Sequence, residues 1–388
     1  IKAVLAAEET QKNILDKEFI ENHTSGLLEV REEIGKTDWS FIESESGLSR
    51  TKIEEVASLY CQSKKVIACW AMGLTQQRHA VSTIQHIVNL LLLRGTIGRP
   101  GAGVCPVRGH SNVQGDRTVG ITEHPNESFL KNLDAQFGIS SPRNSGFNTV
   151  QAIQAMESKS VKVFMGMGGN FARATPDSSR TEEALTKCEL TVQVTTKLNK
   201  THLAHGKKAL ILPCLGRSEL DVQASGEQSV TVEDSMGVVH SSKGRNEPAS
   251  ENLKSEVAIV VGMARAAFTE NQRIWQALQD DYSLIRKKIE AVLPELFEDY
   301  NEKITQPGGF QLYNSAAARK WNTKTGKARF ITKPLPILEV PAGKLRLMTI
   351  RSHDQYNTTI YGLNDRYRGI FGTRKVILMN LQDMASLG

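Results

Sequence analysis

A short loop in the first third of the chain combines residue types that could act on an anion. Arg108, Gly109 and His110 follow one another there, so a permanent cation, a flexible backbone position and a titratable imidazole stand together. A guanidinium can hold an oxyanion through paired hydrogen bonds, and an imidazole can exchange a proton near neutral pH. An arginine taken alone is more often part of a salt bridge. The loop is therefore a candidate anion site only in combination with the neighbouring motifs.

Two stretches have the order strand, glycine turn, helix, which is typical of phosphate-binding turns. The first predicts a buried strand over 65–70, a turn over 71–76 and a helix over 80–93. The second predicts a strand over 161–165 and a turn over 166–170. Each turn alone is more often an ordinary connection, but together they indicate an extended phosphate-bearing ligand and an α/β fold.

The remaining sequence predicts further elements of the same class. Residues 1–60 are helix-rich, and Thr51 and Glu54 form the pattern of a capping box at a helix start. Apolar periodicity predicts additional helices over 178–188, 255–267 and 272–293, and strands over 190–194, 209–213, 230–232 and 238–239. A strand over 345–350 predicts the entry to a β domain.

Composition favours a soluble globular protein and argues against several classes. A chain of 388 residues is expected to form two or more domains. Lys and Arg number 48 against 42 Asp and Glu, but no basic tract carries interleaved aromatics, so a nucleic-acid partner is not expected. The longest apolar run, residues 87–93, is too short to span a bilayer. A conventional NAD dehydrogenase is a weaker alternative because no GxGxxG with a following acidic residue comes after a strand.

The five cysteines are widely spread and form no CxxC pair, which favours reduced thiols in a cytoplasmic protein. Cys61 and Cys69 are predicted to be buried apolar thiols, and Cys105 is the cysteine expected to contact a cofactor if any does. His79 and His86 lie seven residues apart on one predicted helix, where a core or capping role is expected rather than metal binding. We assign no metal ligand within this chain.

The ordered motifs of the chain resemble those of the formate dehydrogenase-like molybdopterin oxidoreductases. The similarity covers nearly the whole chain and is greatest to the cysteine-poor, formate dehydrogenase-like alpha subunits of that family. It rests on residues 70–76 (WAMGLTQ), 94–103 (RGTIGRPGAG), 106–115 (PVRGHSNVQG), 165–170 (MGMGGN), 211–213 (ILP) and 349–359 (TIRSHDQYNTT).

The resemblance implies a bis-molybdopterin guanine dinucleotide cofactor that carries molybdenum or tungsten. It implies catalytic roles for Arg108, which matches the family arginine beside the metal, and for His110, which stands where formate dehydrogenases usually carry glutamine. The cofactor-binding residues that it implies are Met72, Gly73, Thr75, Gln76, Arg108, Gly109, Asn112, Gly168, Gly169, Asn170, Thr195, Thr196, Lys197, Arg351, Gln355, Tyr356 and Asn357.

The same resemblance implies an α/β fold with two dinucleotide-binding-like domains around the bis-pterin cofactor and the start of a carboxy-terminal β-barrel domain. Residues 1–110 would form the carboxy-terminal part of one α/β cofactor domain, and the second would comprise 111–222 and 255–268. Residues 223–254 and 269–324 would belong to the cluster-domain region, and the barrel would start in 325–388.

The opening of the chain at Ile1, inside a helical pattern, indicates a segment of a longer protein. The family's [4Fe-4S] cysteines and its metal-ligating residue would then lie upstream of Ile1, and the segment alone would be inactive. The expected activity is two-electron oxidation or reduction of a small substrate, with formate to carbon dioxide as the default and a protein electron acceptor as a possible partner. The alternative is a catalytically inactive molybdopterin-binding homologue with an assembly or regulatory role.

Overall fold

The computed structural model describes residues 1–337, 339–356 and 360–387, and it divides into two compact units. The first unit comprises Ile1–Thr122, Thr231–Ser241 and Ile289–Leu345. The second comprises Glu123–Val230, Ser242–Lys288 and Arg346–Gly388. Within the described residues, no helix is long and apolar enough to cross a membrane.

Helices and strands alternate along most of the chain. The strands are β1 (Thr24–Ser25), β2 (Ile67–Trp70), β3 (Gly103–Pro106), β4 (Val163–Met167), β5 (Leu190–Thr195), β6 (Lys208–Pro213), β7 (Val222–Gln223), β8 (Gly226–Glu227), β9 (Val230–Glu233), β10 (Val238–Ser242), β11 (Phe310–Gln311), β12 (Ala328–Arg329), β13 (Gln355–Tyr356) and β14 (Ile360–Tyr361).

The helices up to the first strands of the second unit are α1 (Lys2–Gln11), α2 (Lys17–His23), α3 (Leu27–Lys36), α4 (Trp39–Ser46), α5 (Arg50–Gln62), α6 (Met72–Thr75), α7 (Ala80–Leu93), α8 (Val113–Thr118), α9 (Glu127–Phe137) and α10 (Thr149–Glu157). The later helices are α11 (Phe171–Ala174), α12 (Ser178–Thr186), α13 (Glu256–Ala267), α14 (Gln272–Asp280), α15 (Tyr282–Val292), α16 (Pro294–Phe297), α17 (Tyr300–Lys303) and α18 (Leu381–Leu387). Short 3₁₀ helices cover Lys200–Leu203 and Thr269–Asn271.

The first unit is organised around α7 and the parallel pair β2 and β3. The last turn of α7 buries Leu92 and Leu93 in an apolar core with Val4, Phe19 and Phe330. Burial of such side chains contributes roughly 1.5–3 kcal/mol each, so this core fixes α7 against the amino-terminal helices. Because α7 connects β2 to β3, its position also fixes the edge at which both strands end.

The same unit contains a second sheet in the order β11, β10, β9. Val239 of β10 packs in a core with Phe297 and Tyr300, and the Tyr300 hydroxyl donates to Thr231 Oγ1 at 2.8 Å. The turn between β9 and β10 is therefore supported by the helices that precede β11.

The second unit contains the parallel sheet β4, β5, β6. Val163 of β4 pairs with Leu190 of β5, and Leu190 pairs with Lys208 of β6. The side chains of β5 from Thr191 to Thr195 are all buried, as expected of a central strand. Helices α10 and α12 contribute a core of Ile153, Met156, Ala184, Leu185 and Cys188.

Three local predictions from the sequence are wrong. Helix α5 begins at Arg50 because Ser49, rather than Thr51, caps it and accepts from the Lys52 N–H. The single helix expected over 272–293 is two helices, because the backbone of Asp281 is extended and its carboxylate accepts from the Ser283 N–H at the start of the second helix. Residues 345–350 form no strand, and Leu347 and Met348 there are exposed, since no neighbouring strand among the described residues pairs with them. The described residues close no barrel, so the barrel domain stays a prediction.

Candidate cofactor and substrate site

The loops that follow β2 and β3 lie against each other. The two strands are parallel, with Trp70 opposite Pro106, so their carboxyl ends meet at one edge. The Val107 N–H donates to the Trp70 carbonyl at 2.8 Å and continues the ladder into the second loop. A Cβ added at Gly109 would lie 3.6 Å from Met72 Cε. The residues predicted from two separate motifs therefore form one surface in the first unit.

Arg108 is held by two hydrogen bonds that leave the end of its side chain open. Its backbone N–H donates to Ser235 Oγ at 2.9 Å, and its Nε donates to Gln114 Oε1 at 3.0 Å. Within the described residues, neither terminal guanidinium nitrogen has an acceptor, and the residue is exposed. A guanidinium fixed through Nε can present both terminal nitrogens to an anion, which suits a carboxylate or phosphate.

Asn112 joins this loop to the strand β9. It adopts a left-handed conformation with φ of 66°, and its Oδ1 accepts from the Glu233 N–H at 3.1 Å. Asn112 Nδ2 donates to Asp116 Oδ1 at 2.9 Å. Because both functional groups of the amide are used within the unit, Asn112 positions the loop rather than presenting its side chain to a ligand.

Glu233 is a buried carboxyl beside the arginine. Its side chain bonds to those of Gln114 and Thr118, and its Oε2 has no partner within the described part of the chain. Burial raises the pKa of Glu233; the bonds to Thr118 and Gln114 oppose this rise, and the charge of Asp234 adds to it. Gln114 therefore links a carboxyl of raised pKa to the guanidinium of Arg108.

Asp234 and His240 form a pair on the turn that follows Glu233. Asp234 Oδ2 lies 3.0 Å from His240 Nε2, and its other oxygen accepts from the Met236 and Val238 N–H groups. Burial would raise the pKa of Asp234, but the bonds from His240 and from these two N–H groups outweigh it and lower the pKa. Asp234 is thus ionised close to the loop. His110, the second predicted catalytic residue, is exposed on the same loop as Arg108.

The turn after β4 in the second unit presents backbone rather than side chains. Gly168 and Gly169 have φ of 66° and 71°, a left-handed pair that L side chains rarely adopt. The Gly168 N–H donates to the Val194 carbonyl at 2.8 Å. The N–H groups of Gly169 and Asn170 have no acceptor among the residues that the structure describes. Such a pair of open amides is suited to an anion.

Two polar residues after β5 hold this turn in place. Asn199 Nδ2 donates to the Gly169 carbonyl at 2.7 Å, and Thr201 Oγ1 donates to Asn170 Oδ1 at 2.8 Å. Asn170 is buried, so its predicted role as a ligand contact falls to its backbone. Thr195 is also buried and its hydroxyl donates to the Lys197 carbonyl at 2.8 Å. Thr196 and Lys197 are exposed at the end of β5.

The predicted loop near the carboxy terminus is partly described. Arg351 is exposed, and Gln355 Oε1 accepts from Arg374 Nη1 at 3.0 Å. Asp365 of the same segment accepts hydrogen bonds from Arg368 and His353. Burial would raise the pKa of Asp365, but these bonds outweigh that effect and lower the pKa below its ordinary value. Asn357 and the side chain of Tyr356 lie outside the described residues. Four further residues predicted to bind the cofactor are exposed. They lie on α6 or directly after it: Met72, Gly73, Thr75 and Gln76.

The cysteines and histidines depart from prediction at one position. Cys69 is exposed, not buried, because it shares the exposed face of β2 with Ile67, whereas Cys61 is half-buried on α5, which packs against the core. His79 stands at the start of α7, where its carbonyl accepts from Ser82 and Thr83, and His86 Nε2 lies 3.1 Å from the Lys333 carbonyl. Within 1–337, 339–356 and 360–387, no group of three His, Cys, Asp or Glu could hold a metal ion.

The distant residues that hold the Arg108 loop could not be found from the sequence. Glu233 and Ser235 carry no motif signal, and Ser235 lies 127 positions from Arg108, whereas Gln114 lies inside the motif over 106–115 but was not singled out within it. Asn199 and Thr201 have a weak signal, because Asn two residues before Thr at the start of a short helix is typical of a capping position. These five residues complete both turns.

The fold is α/β, and each of the two units presents N–H donors that have no acceptor among the described residues. The molybdopterin oxidoreductase family model matches residues 16–209, and the chain belongs to that family. An uncharacterized oxidoreductase of Mycobacterium tuberculosis is 51% identical over 385 residues, which are 99% of this chain and 49% of the relative. Formate dehydrogenase H of Escherichia coli is 28% identical over 200 residues, 49% of this chain and 28% of the relative.

A solved structure supports the fold. Acetylene hydratase from Pelobacter acetylenicus superposes with a TM-score of 0.56 at 16% identity, covering 84% of this chain and 46% of that chain. The chain therefore spans about half the length of the proteins it matches in full. The resemblance to molybdopterin oxidoreductases is confirmed, and the α/β class is confirmed with it.

The family implies a molybdenum or tungsten pterin cofactor, and the residues present fit the phosphate-bearing part of such a group. The N–H groups of Gly169 and Asn170 are open, and a Cβ at Gly168 or Gly169 would meet nothing within 4 Å. In the other unit the terminal nitrogens of Arg108 are open as well, and they are left for an anionic substrate. Both sets are donors, as anionic groups require.

Proposed function

We propose that this chain is the cofactor-binding part of a molybdenum or tungsten bis-pterin oxidoreductase that acts on a small anion. The proposed default reaction is the two-electron oxidation of formate to carbon dioxide or its reverse. The observation that carries the proposal is the guanidinium of Arg108, fixed through Nε and open at both terminal nitrogens beside the Met72 turn. Formate is a carboxylate and matches that donor pair.

Most of these residues would bind the cofactor, and a smaller set would orient the substrate. Gly168, Gly169 and Asn170 would hold one dinucleotide through backbone amides, with Thr196 and Lys197 at its guanosine end. Met72, Gly73, Thr75 and Gln76 would hold the other, with Gly109 of the neighbouring loop next to Met72. Arg351, Gln355, Tyr356 and Asn357 would contact pterin or phosphate in the proposed entry to a barrel domain.

Arg108 would bind the anionic substrate and stabilise negative charge during the reaction, and His110 would line the same pocket. When bound, the pterin-held metal supplies the two-electron chemistry. Gln114 would keep the guanidinium in a single orientation, so that substrate binding costs little further ordering. Electrons would leave through a [4Fe-4S] cluster outside this chain to a protein acceptor, in the cytoplasm as the reduced cysteines favour.

A second candidate is a molybdopterin-binding homologue without turnover that serves assembly or regulation. It is favoured by His110, which stands where formate dehydrogenases usually carry glutamine. Both candidates bind the pterin cofactor. Measuring the cofactor content therefore distinguishes these two functions from unrelated ones, but it does not distinguish them from each other.

The test is metal and pterin analysis of the full-length protein purified without oxygen, followed by formate-dependent dye reduction. Molybdenum or tungsten with two pterins, and a dye reduction that is lost in Arg108→Gln but kept in Arg31→Gln, would support the oxidoreductase. Arg31 is an exposed arginine on α3 and serves as the matched control. Cofactor without formate turnover would overturn formate as the substrate and favour the second candidate, and absence of both metal and pterin would overturn the whole proposal.

A further inference from the structure

Two cysteine thiols lie side by side on β2 and β3. Cys69 and Cys105 are register partners in this parallel pair, so their side chains project from the same face. Neighbouring strands are about 4.8 Å apart, which is inside the Cα separation of roughly 4.4–6.8 Å that a disulfide can bridge. The two side chains are also close enough for Cys69 to influence the pKa of Cys105. The two cysteines therefore lie at a backbone separation that a disulfide can bridge.

The two thiols differ in access to solvent. Cys69 is exposed, and Cys105 is half-buried. Burial, the neighbouring Cys69 and the charge of Asp234 raise the pKa of Cys105, so this thiol keeps its proton at neutral pH. A small oxidant would consequently reach the Cys69 sulfur first, with Cys105 in place as the resolving thiol.

We propose that Cys69 and Cys105 form a reversible cross-strand disulfide when the protein meets a peroxide. The Cys69 thiolate attacks the peroxide, the O–O bond breaks, and a sulfenic acid forms while hydroxide leaves with the electron pair. The Cys105 sulfur then attacks the Cys69 sulfur, an S–S bond forms, and the S–O bond breaks. The hydroxide that leaves takes the Cys105 proton as water, so two thiols are oxidised and one peroxide is reduced.

The disulfide would join the bases of the two loops that form the site. Cys69 is three residues before Met72, and Cys105 is three residues before Arg108. Because Cys69 is exposed, a thiol reductant can reach such a bond and restore both thiols. The inference concerns the thiol pair itself and holds whether or not the proposed oxidoreductase activity is correct.

The test is peptide mapping of the purified full-length protein after stoichiometric hydrogen peroxide, alkylation and tryptic digestion without reductant. Cleavage after Lys65, Arg78, Arg94 and Arg108 gives fragments 66–78 and 95–108, each with one cysteine. The expected product is these two fragments joined, lighter by two hydrogens than their sum, with loss of Cys69 alkylation. Dithiothreitol should restore both alkylated fragments.

Variants make the result specific. Cys61→Ser should retain the joined fragments, because Cys61 lies on α5 outside the pair, whereas Cys69→Ser and Cys105→Ser should each abolish them. The inference is overturned if peroxide converts Cys69 to sulfinic acid without joining the fragments, or if both thiols remain fully alkylated. The wild-type map decides this by itself, so a variant that folds poorly does not leave the question open.

Discussion

The loop after β3 and the turn after β4 both end a parallel strand, yet they present different chemistry. The first offers a side chain, Arg108, whose orientation depends on Gln114 and on Ser235 from a distant segment. The second offers the N–H groups of Gly169 and Asn170, which residues after the adjacent strand hold in place. A side-chain site therefore needs long-range support, whereas a backbone site is largely specified by its own glycines.

The largest effect is expected when Arg108 itself is replaced. Arg108→Gln removes the open guanidinium, and loss of one charge-stabilising donor typically lowers turnover by about 10²- to 10³-fold. Because the phosphate-binding turns are untouched, the pterin content should stay unchanged. The measurement is kcat/KM with formate alongside pterin content, and Arg31→Gln is the control. A parallel loss of pterin would mean that Arg108 acts on cofactor binding and would remove the contrast between the two turns.

The backbone turn should be most sensitive to its left-handed glycines. Gly169→Val forces a β-branched residue to φ of 71°, and left-handed conformations cost L residues about 1–2 kcal/mol. We expect a lower melting temperature and loss of pterin. Gly262→Ala in α13 is the matched control, because it has neither a positive φ nor a neighbour within 4 Å, and it should be neutral or stabilising. Retention of full pterin content by Gly169→Val would show that this turn does not bind it.

The same contrast explains what the sequence could and could not predict. Helix α7 has the predicted bounds, 80–93, because its apolar residues and its flanks agree on one element. The glycines of the β4 turn were identifiable because their conformation restricts residue type. The support of Arg108 was not, since Asn112 and Glu233 meet across 121 positions and no local pattern encodes that contact. The exposure of Cys69 was missed for a similar reason, because burial of β2 depends on which distant elements cover it.

A smaller effect is expected from the support of the backbone turn. Asn199→Ala removes the 2.7 Å bond to the Gly169 carbonyl and the cap on the Thr201 N–H at 3.0 Å. Such a loss costs about 1–2 kcal/mol of unfolding free energy. Denaturant unfolding measures it, and Asn271→Ala is the control because Asn271 begins α14 without a side-chain cap bond. Equal destabilisation by both substitutions would contradict a specific role for Asn199.

The smallest effect is expected at Glu233, where it appears as a pH dependence. A carboxyl whose pKa is higher in the folded than in the unfolded state binds its proton more tightly when folded. Its contribution to stability is therefore full below the unfolded pKa, near 4.3, and declines as pH rises through the raised folded value. Glu233→Gln cannot ionise and keeps the volume of the side chain, so it should be more stable than the wild type by about 1 kcal/mol at pH 8.

At pH 4 that advantage should largely vanish, because the wild-type carboxyl is protonated there in the folded state. Melting curves at the two pH values measure the difference, and Glu9→Gln on the exposed face of α1 should show none. An equal gain at both pH values would mean that the unpartnered Oε2, rather than ionisation, sets the cost. The side-chain site would then resemble the backbone site in depending on hydrogen-bond geometry alone, and proton uptake beside Arg108 would no longer distinguish the two turns.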